Sequence, residues 1–285
     1  MRIIYLGYLL GPLRAVLEQG IEVGLVAVEP GPARTRAMIE FCRSRGLNWV
    51  EADEIKTGQR IQDELASGLD LGLVGAFSQI LPPDMVDKPR FGWANVHFSY
   101  LPFYRGNNPI EWMILNGAEQ GGVTYHWINQ GIDQGGIIAQ ARLAIEPGHD
   151  YQTVFDNCDQ TAYELGLELW ARSPADWPCR PQEPDQGFYC PRRTEAEARI
   201  GKDFSLQAVD RLVRAEAWKG VVHFSNQGRK LVVESYCPGD ERPDLAPGTV
   251  VSSAQDRISV VIDGREVFFD LRPGEWRPRP GLSLG

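Results

Sequence analysis

Apolar runs and stretches of helical spacing alternate through the first two thirds of the chain. Arg2 to Leu6 is an apolar run suited to a buried strand, Gly7 to Pro12 reads as a loop, and Leu13 to Glu18 has helical spacing before Gly20. Val23 to Val28 repeats the strand pattern. Leu69 to Phe77 gives a third strand, because Leu71, Leu73 and Val74 form a hydrophobic block between Gly68 and the Pro82-Pro83 breaker. Trp93 to Phe98 and Val123 to Ile128 read as two more. Residues 150 to 172 place Val154, Cys158, Ala162, Leu165 and Leu169 at helical intervals and end before Ser173-Pro174. Strands alternating with helices predict an α/β fold with a doubly wound, mainly parallel sheet, which places ligands beyond the carboxyl ends of its strands.

The pattern then changes. Ser173 to Gly187 holds four prolines and reads as a loop or linker. Ser205 to Trp218 predicts a capped helix with Leu206, Val209, Leu212 and Val213 as its apolar stripe. From Val221 to Leu271 the runs KLVVESY, GTVVSS, RISVVID and EVFFDL are short strands divided by turns, Asp263-Gly264 among them, and predict a small all-β domain. The expected division is a domain over residues 1–200, followed by a linker helix and β domain over residues 201–285.

Charge narrows the partners. The chain has 285 residues and a formal net charge of −9. Residues 201–285 carry twelve basic and twelve acidic side chains, so neither part is the basic arm that a bulk nucleic-acid binder uses. The five cysteines, Cys42, Cys158, Cys179, Cys190 and Cys237, are widely spaced without a C-x-x-C pair, which suits free thiols in a reducing compartment. The N-terminus lacks a signal-peptide pattern and no apolar run approaches a membrane span, so a cytoplasmic location is expected, without membrane partners.

Gly7 and Gly11 after the first strand lack the G-x-G-x-x-G spacing of a dinucleotide site. The informative stretch is residues 91 to 138. Asn95, His97 and Ser99 alternate with Val96 and Phe98, so a strand there puts three polar side chains on one face. Gly131-Ile132-Asp133-Gln134-Gly135-Gly136 is a glycine-bracketed turn presenting one carboxylate. Taken singly, the histidine reads as a structural residue and the aspartate as a turn former. Together an amide donor, an imidazole and a carboxylate suit acyl transfer to an amine, which needs donors for a tetrahedral oxyanion and a base for the ammonium proton. No G-x-S-x-G elbow is present. His126, His149 and His223 lack metal-ligand spacing and receive no role; no metal is expected.

Asn95 to Pro102, Tyr104-Arg105-Gly106, Gly122-Val123-Thr124 and Gly131 to Gly135 resemble the N10-formyltetrahydrofolate-dependent formyltransferases. Tyr189 to Arg214 and the C-terminal β region extend the resemblance, which is nearest to the sugar N-formyltransferases. It implies formyl transfer from N10-formyltetrahydrofolate to the primary amine of a small acceptor. Asn95 and His97 would polarise the formyl oxygen. Asp133 would pair with His97 and favour its charged form. The pterin would lie against Phe77, Ser78, Gln79, Ile80 and Leu81 and the backbone of Ile132, Gln134 and Gly135. Tyr104, Arg105, Arg192 and Arg193 would meet the acceptor.

The short, weakly basic segment from Phe103 to Pro109 and the neutral C-terminal region argue against a tRNA acceptor, and a purine-ribonucleotide formyltransferase would stop before the β domain. A nucleotide-linked amino sugar is the expected acceptor, with a hydroxyornithine side chain as its rival. Hydrolysis of the formyl folate, or folate binding without catalysis, are further readings. Glu197, Gly201 and Trp218-Lys219-Gly220 depart from the family pattern. The apolar VVIDG and VFFDL strands suit packing within the chain or against a second copy, so a homodimer is an expected assembly.

Overall fold

The structure is a computed structural model of the whole chain and describes every residue except 32, 52–57, 184, 227–228, 274–276 and 285. Pro184, inside the proline-rich linker, thus lies outside the described residues. By its internal contacts the chain forms two compact units. The first comprises Met1–Pro109, Gln120–Ala144 and Phe155–Cys190; the second comprises Ile110–Glu119, Ile145–Val154 and Pro191–Gly285.

In chain order the elements of the first part are β1 (Arg2–Gly7), α1 (Leu10–Glu18), β2 (Glu22–Val28), α2 (Ala33–Arg45), β3 (Trp49–Glu51), α3 (Gln59–Ala66), β4 (Leu71–Gly75), α4 (Pro83–Val86) and β5 (Trp93–His97). They continue with β6 (Arg105–Gly106), α5 (Pro109–Leu115), β7 (Gln120–Trp127), β8 (Ile137–Ala144), α6 (Tyr151–Trp170) and β9 (Tyr189–Cys190). The first unit is built on one sheet of order β3-β2-β1-β4-β5-β7-β8. Strands β1 to β5 pair in parallel, whereas β7 is antiparallel to both β5 and β8. Ile3, Ile4, Tyr5 and Leu6 of β1 are all fully buried, as a continuous apolar run must be when both faces of a central strand are covered.

Three expectations need correction. Leu71–Gly75 is the fourth strand in sequence, because the short, partly exposed β3 precedes it; a three-residue strand carries too few positions to show alternation. Helix α1 begins at Leu10, inside the expected loop, since Pro12 falls in its first turn, where no intrahelical N–H bond is lost. Ser99 is not on the β5 face: the strand ends at His97, and the fully buried Ser99 donates its hydroxyl to the Phe103 carbonyl at 2.7 Å. The proline-rich stretch is largely irregular, with one 3-10 turn at Pro174–Asp176.

The end of β1 is closed to dinucleotides in two ways. Gly7 has φ +123°, and a Cβ there would meet the Gly75 carbonyl oxygen at 1.9 Å, so only glycine lets β1 and β4 approach so closely. At the start of α1 the Gly11 N–H donates to both carboxylate oxygens of Asp159, at 3.0 and 2.9 Å. The chain's own carboxylate thus occupies the helix N-terminus where a phosphate would otherwise bind.

Burial pushes the Asp159 carboxyl up to about 6 from 3.8, against the helping hydrogen bond from Gly11. A carboxyl raised in the native state favours folding while protonated, and that contribution is lost as pH climbs from the unfolded value through the folded one. The displacement of about 2 pH units corresponds to ~3 kcal/mol. Asp159→Asn keeps an acceptor for Gly11 without the charge. It is expected to be more stable than wild type at pH 8 by up to this amount and to match it near pH 4; denaturant titrations at the two pH values check this.

The second unit adds α7 (Leu206–Glu216) and strands β10 (His223–Asn226), β11 (Arg229–Glu241), β12 (Val250–Ser253), β13 (Arg257–Ile262) and β14 (Arg265–Leu271). The strands form an antiparallel sheet of order β10-β11-β14-β13-β12. Ser205 caps α7, its hydroxyl accepting from the Ala208 N–H at 3.1 Å, and Val209 and Leu212 pack in one core with Val233, Val260 and Phe269. Asp263 and Gly264 have φ of 53° and 73°, the two left-handed positions a tight hairpin requires.

Candidate active site

Asn95 and His97 stand two residues apart on β5 and therefore on one face of the sheet. His126 of β7 is directly opposite Asn95 in the antiparallel register, so its side chain shares that face. The connection from β7 to β8 then turns back over the face and brings Asp133 onto all three. Its carboxylate lies 3.6 Å from His97 Nδ1, 3.4 Å from His126 Nε2 and 3.4 Å from Asn95 Nδ2, and accepts the Gly106 N–H at 2.8 Å. Asp133, remote in sequence, is thus brought onto Asn95 and His97 in the first unit.

The surroundings fix the roles of each atom. His126 Nδ1 donates to the Trp127 carbonyl at 2.9 Å, and its Nε2 lies 3.0 Å from Asn95 Nδ2 and 3.4 Å from the Asp133 carboxylate. His97 Nε2 donates to the Tyr104 carbonyl at 2.8 Å, and its Nδ1 faces Asp133 at ion-pair distance. Burial opposes the charge on Asp133, but His97, His126 and the Gly106 N–H outweigh it and hold this carboxyl well below the usual range. The turn that carries it is constrained. Asp133 has φ 53°, in the left-handed region.

Residues 42–167, which include Asn95, His97, His126 and Asp133, match the formyl transferase family. Over that segment, somewhat under half of its length, the chain is similar to formyl transferases. It is 33% identical over 178 residues to methionyl-tRNA formyltransferase of Agathobacter rectalis, a match covering 59% of this chain and 57% of that relative's length. Among solved structures it resembles a substituted variant of HypX from Aquifex aeolicus, with TM-score 0.70 and 17% identity, covering 94% of this chain and 43% of HypX. An N-formyltransferase of Helicobacter canadensis, solved with folinic acid and dTDP-3-aminofucose, aligns over 95% of this chain and 99% of its own with TM-score 0.68 and 16% identity.

The loop expected to meet a pterin follows β4. The Ser78 N–H and hydroxyl donate to the Glu29 carboxylate at 2.7 and 2.6 Å, and Gln79 Nε2 reaches the same carboxylate at 3.2 Å, so Glu29 fixes the loop. Phe77 and Leu81 pack on the core, whereas Ile80 is 77% exposed. In the second loop Ile132 is 57% exposed, Gln134 bonds the Tyr189 hydroxyl, and a Cβ on Gly135 would meet the Trp127 carbonyl oxygen at 1.6 Å. The carbonyls of Ile132, Asp133 and Gly135 already accept from Tyr189 or Gln182 side chains, so only their remaining lone pairs are open to a ligand edge.

The residues expected at the acceptor are divided between the two units. Tyr104, at φ 58°, and the buried Arg105 belong to the first unit, but the Arg105 guanidinium is spent on Gln182 Oε1 at 3.0 and 2.7 Å. Arg192 and Arg193 belong to the second unit. Arg192 is exposed, and Arg193 is held by the buried Glu216 at 2.7 Å and donates to the Glu197 carbonyl, so it is a structural cation and not a free one. His126, for which no role was expected, lies against Asn95 and Asp133 in this cluster. Its signal was its place on a strand opposite Asn95, which becomes visible only once the register of β5 and β7 is known.

Proposed function

We propose that this protein transfers a formyl group from N10-formyltetrahydrofolate to a primary amine of a small acceptor, a nucleotide-linked amino sugar being the first candidate. The observation that carries the reading is the contact of Asn95, His97 and Asp133 around one point of a sheet face. Ile80 and Ile132 supply exposed apolar surface for a flat pterin, and the anchored 77–81 loop and the Asp133 turn supply backbone groups for its edge.

The amine nitrogen attacks the formyl carbon, the carbonyl becomes a tetrahedral oxyanion, and collapse breaks the bond from carbon to N10. Asn95 Nδ2 is suited to receive the oxyanion because its contact to Asp133 is long and a developing charge can draw that N–H away. The proton lost by the ammonium is taken up within the His97–Asp133 couple and returned to N10 of the leaving tetrahydrofolate.

A second reading takes aminoacyl-tRNA as acceptor. It is favoured by the methionyl-tRNA formyltransferase among the relatives and opposed by the net charge of −9 and the neutral balance of residues 201–285. Incubation with 10-formyltetrahydrofolate and, in parallel, a dTDP-amino sugar, hydroxyornithine, methionyl initiator tRNA or no acceptor distinguishes them. Tetrahydrofolate release that depends on the amino sugar is expected. Release with tRNA alone would establish the second reading, and formate release without any acceptor would make the protein a hydrolase.

A further inference from the structure

The proline-rich stretch that the reaction leaves unexplained contributes Gln182, and its carboxamide is used on both ends. Nε2 donates to the carbonyls of Asp133 and Gly135, each at 2.8 Å, while Oε1 accepts from Nε and Nη2 of Arg105. These partners fix the orientation of the amide, since carbonyls only accept and a guanidinium only donates. A buried guanidinium ordinarily meets a carboxylate. Here it meets an amide oxygen, and the other end of the same side chain gives the reason. Glutamate would pair better with Arg105 but would turn a second acceptor on the two carbonyls.

We propose that Gln182 is a positioning residue: its NH₂ group, bridging the carbonyls on either side of Gln134, locks the left-handed turn that aims the Asp133 carboxylate at Asn95, His97 and the Gly106 N–H. Left-handed backbone at a non-glycine residue persists only where surrounding contacts over-determine it. The backbone carbonyls of the Asp133 turn accept two hydrogen bonds from Gln182 and one from the Tyr189 hydroxyl, to Ile132 at 3.1 Å. Through Oε1 the same amide ties this turn to Arg105, the residue preceding the Gly106 donor. Both ends of the Asp133–Gly106 hydrogen bond are thereby referred to one side chain.

The test uses the full chain with Gln182→Ala and Gln182→Glu. Its kinetic arm rests on the formyl-transfer reading; its exchange arm does not. Hydrogen exchange at the Gly106 amide is expected to quicken about 10-fold or more in both variants, with β1 and β4 amides unchanged. The kcat is expected to fall about 10–100-fold, with the acceptor KM moving less than about threefold. Gln182→Glu should do no better than alanine at pH 8, despite its stronger pairing with Arg105, and should recover in part as falling pH protonates it and restores one donor. Unchanged Gly106 exchange in both variants would overturn the proposal. So would full activity in Gln182→Glu beside loss in Gln182→Ala, since Arg105 pairing alone would then be the role. If the wild-type protein transfers no formyl group, the exchange result still decides the clamp, and only the functional reading falls.

Discussion

Asp133→Asn is expected to lower kcat/KM for formyl transfer by about 10³–10⁴-fold while the protein stays folded. An asparagine oxygen can still accept the Gly106 N–H, but its NH₂ group would then face His97 Nδ1, His126 Nε2 and the Asn95 amide, where the native carboxylate accepts or pairs. The proton-accepting couple is lost, and Asn95 loses one of the partners that orient it. The wild-type carboxyl is held well below its usual range, so it remains charged throughout the neutral and mildly acidic pH range. The sign for stability follows: Asp133 contributes fully above the ordinary carboxylate value, and the contribution is lost only as pH falls through the much lower native value. Steady-state kinetics with whichever acceptor supports tetrahydrofolate release in the assay above, beside thermal unfolding of the variant, measure both. A variant within tenfold of wild type would remove Asp133 from the chemistry.

Gly135→Ala is expected to damage fold and site together. The added methyl would lie 1.6 Å from the Trp127 carbonyl oxygen, a backbone atom at the end of β7 that cannot rotate away. The turn or the strand end must move, at a cost of about 3 kcal/mol or more. The same carbonyl faces His126 Nδ1, so its displacement passes directly to the imidazole that orients Asn95. A drop of about 10²-fold in kcat/KM, together with a lowered urea midpoint at unchanged m-value, is the expected pair of results. A lowered midpoint with full activity would show that the turn tolerates the shift and that His126 orientation is unimportant.

What could be read from residues alone was whatever depends on local period. The buried runs of β1, β2 and β4, the Ser205 cap and the Asp263-Gly264 hairpin are local, and each is found in the structure. Asn95 and His97 share a face because of a two-residue period, and Asp133 stood out through its bracketing glycines. Features that depend on pairing between distant segments were hidden. His126 gains its place from the β5–β7 register, and Gln182 from hydrogen bonds spanning dozens of residues. The arginines mislead for the same reason. Arg105 and Arg193 are conspicuous as charges in sequence, yet both are satisfied internally, by Gln182 and Glu216. Ser99 kept the alternation of β5 on paper, but the strand stops two residues earlier.

Asp159 seated on the Gly11 amide at the start of α1 has a bearing on what this scaffold can be made to do. A doubly wound sheet normally offers that helix end to the diphosphate of a nucleotide, and here the lock already holds its own key. Grafting redox-cofactor recognition onto the β1–α1 junction would require evicting this carboxylate and remodelling the Gly7–Gly75 crossing. The fold's most reused ligand cradle has been retired, and the clustered polar side chains stand farther along the same carboxyl edge of the sheet, at the end of β5.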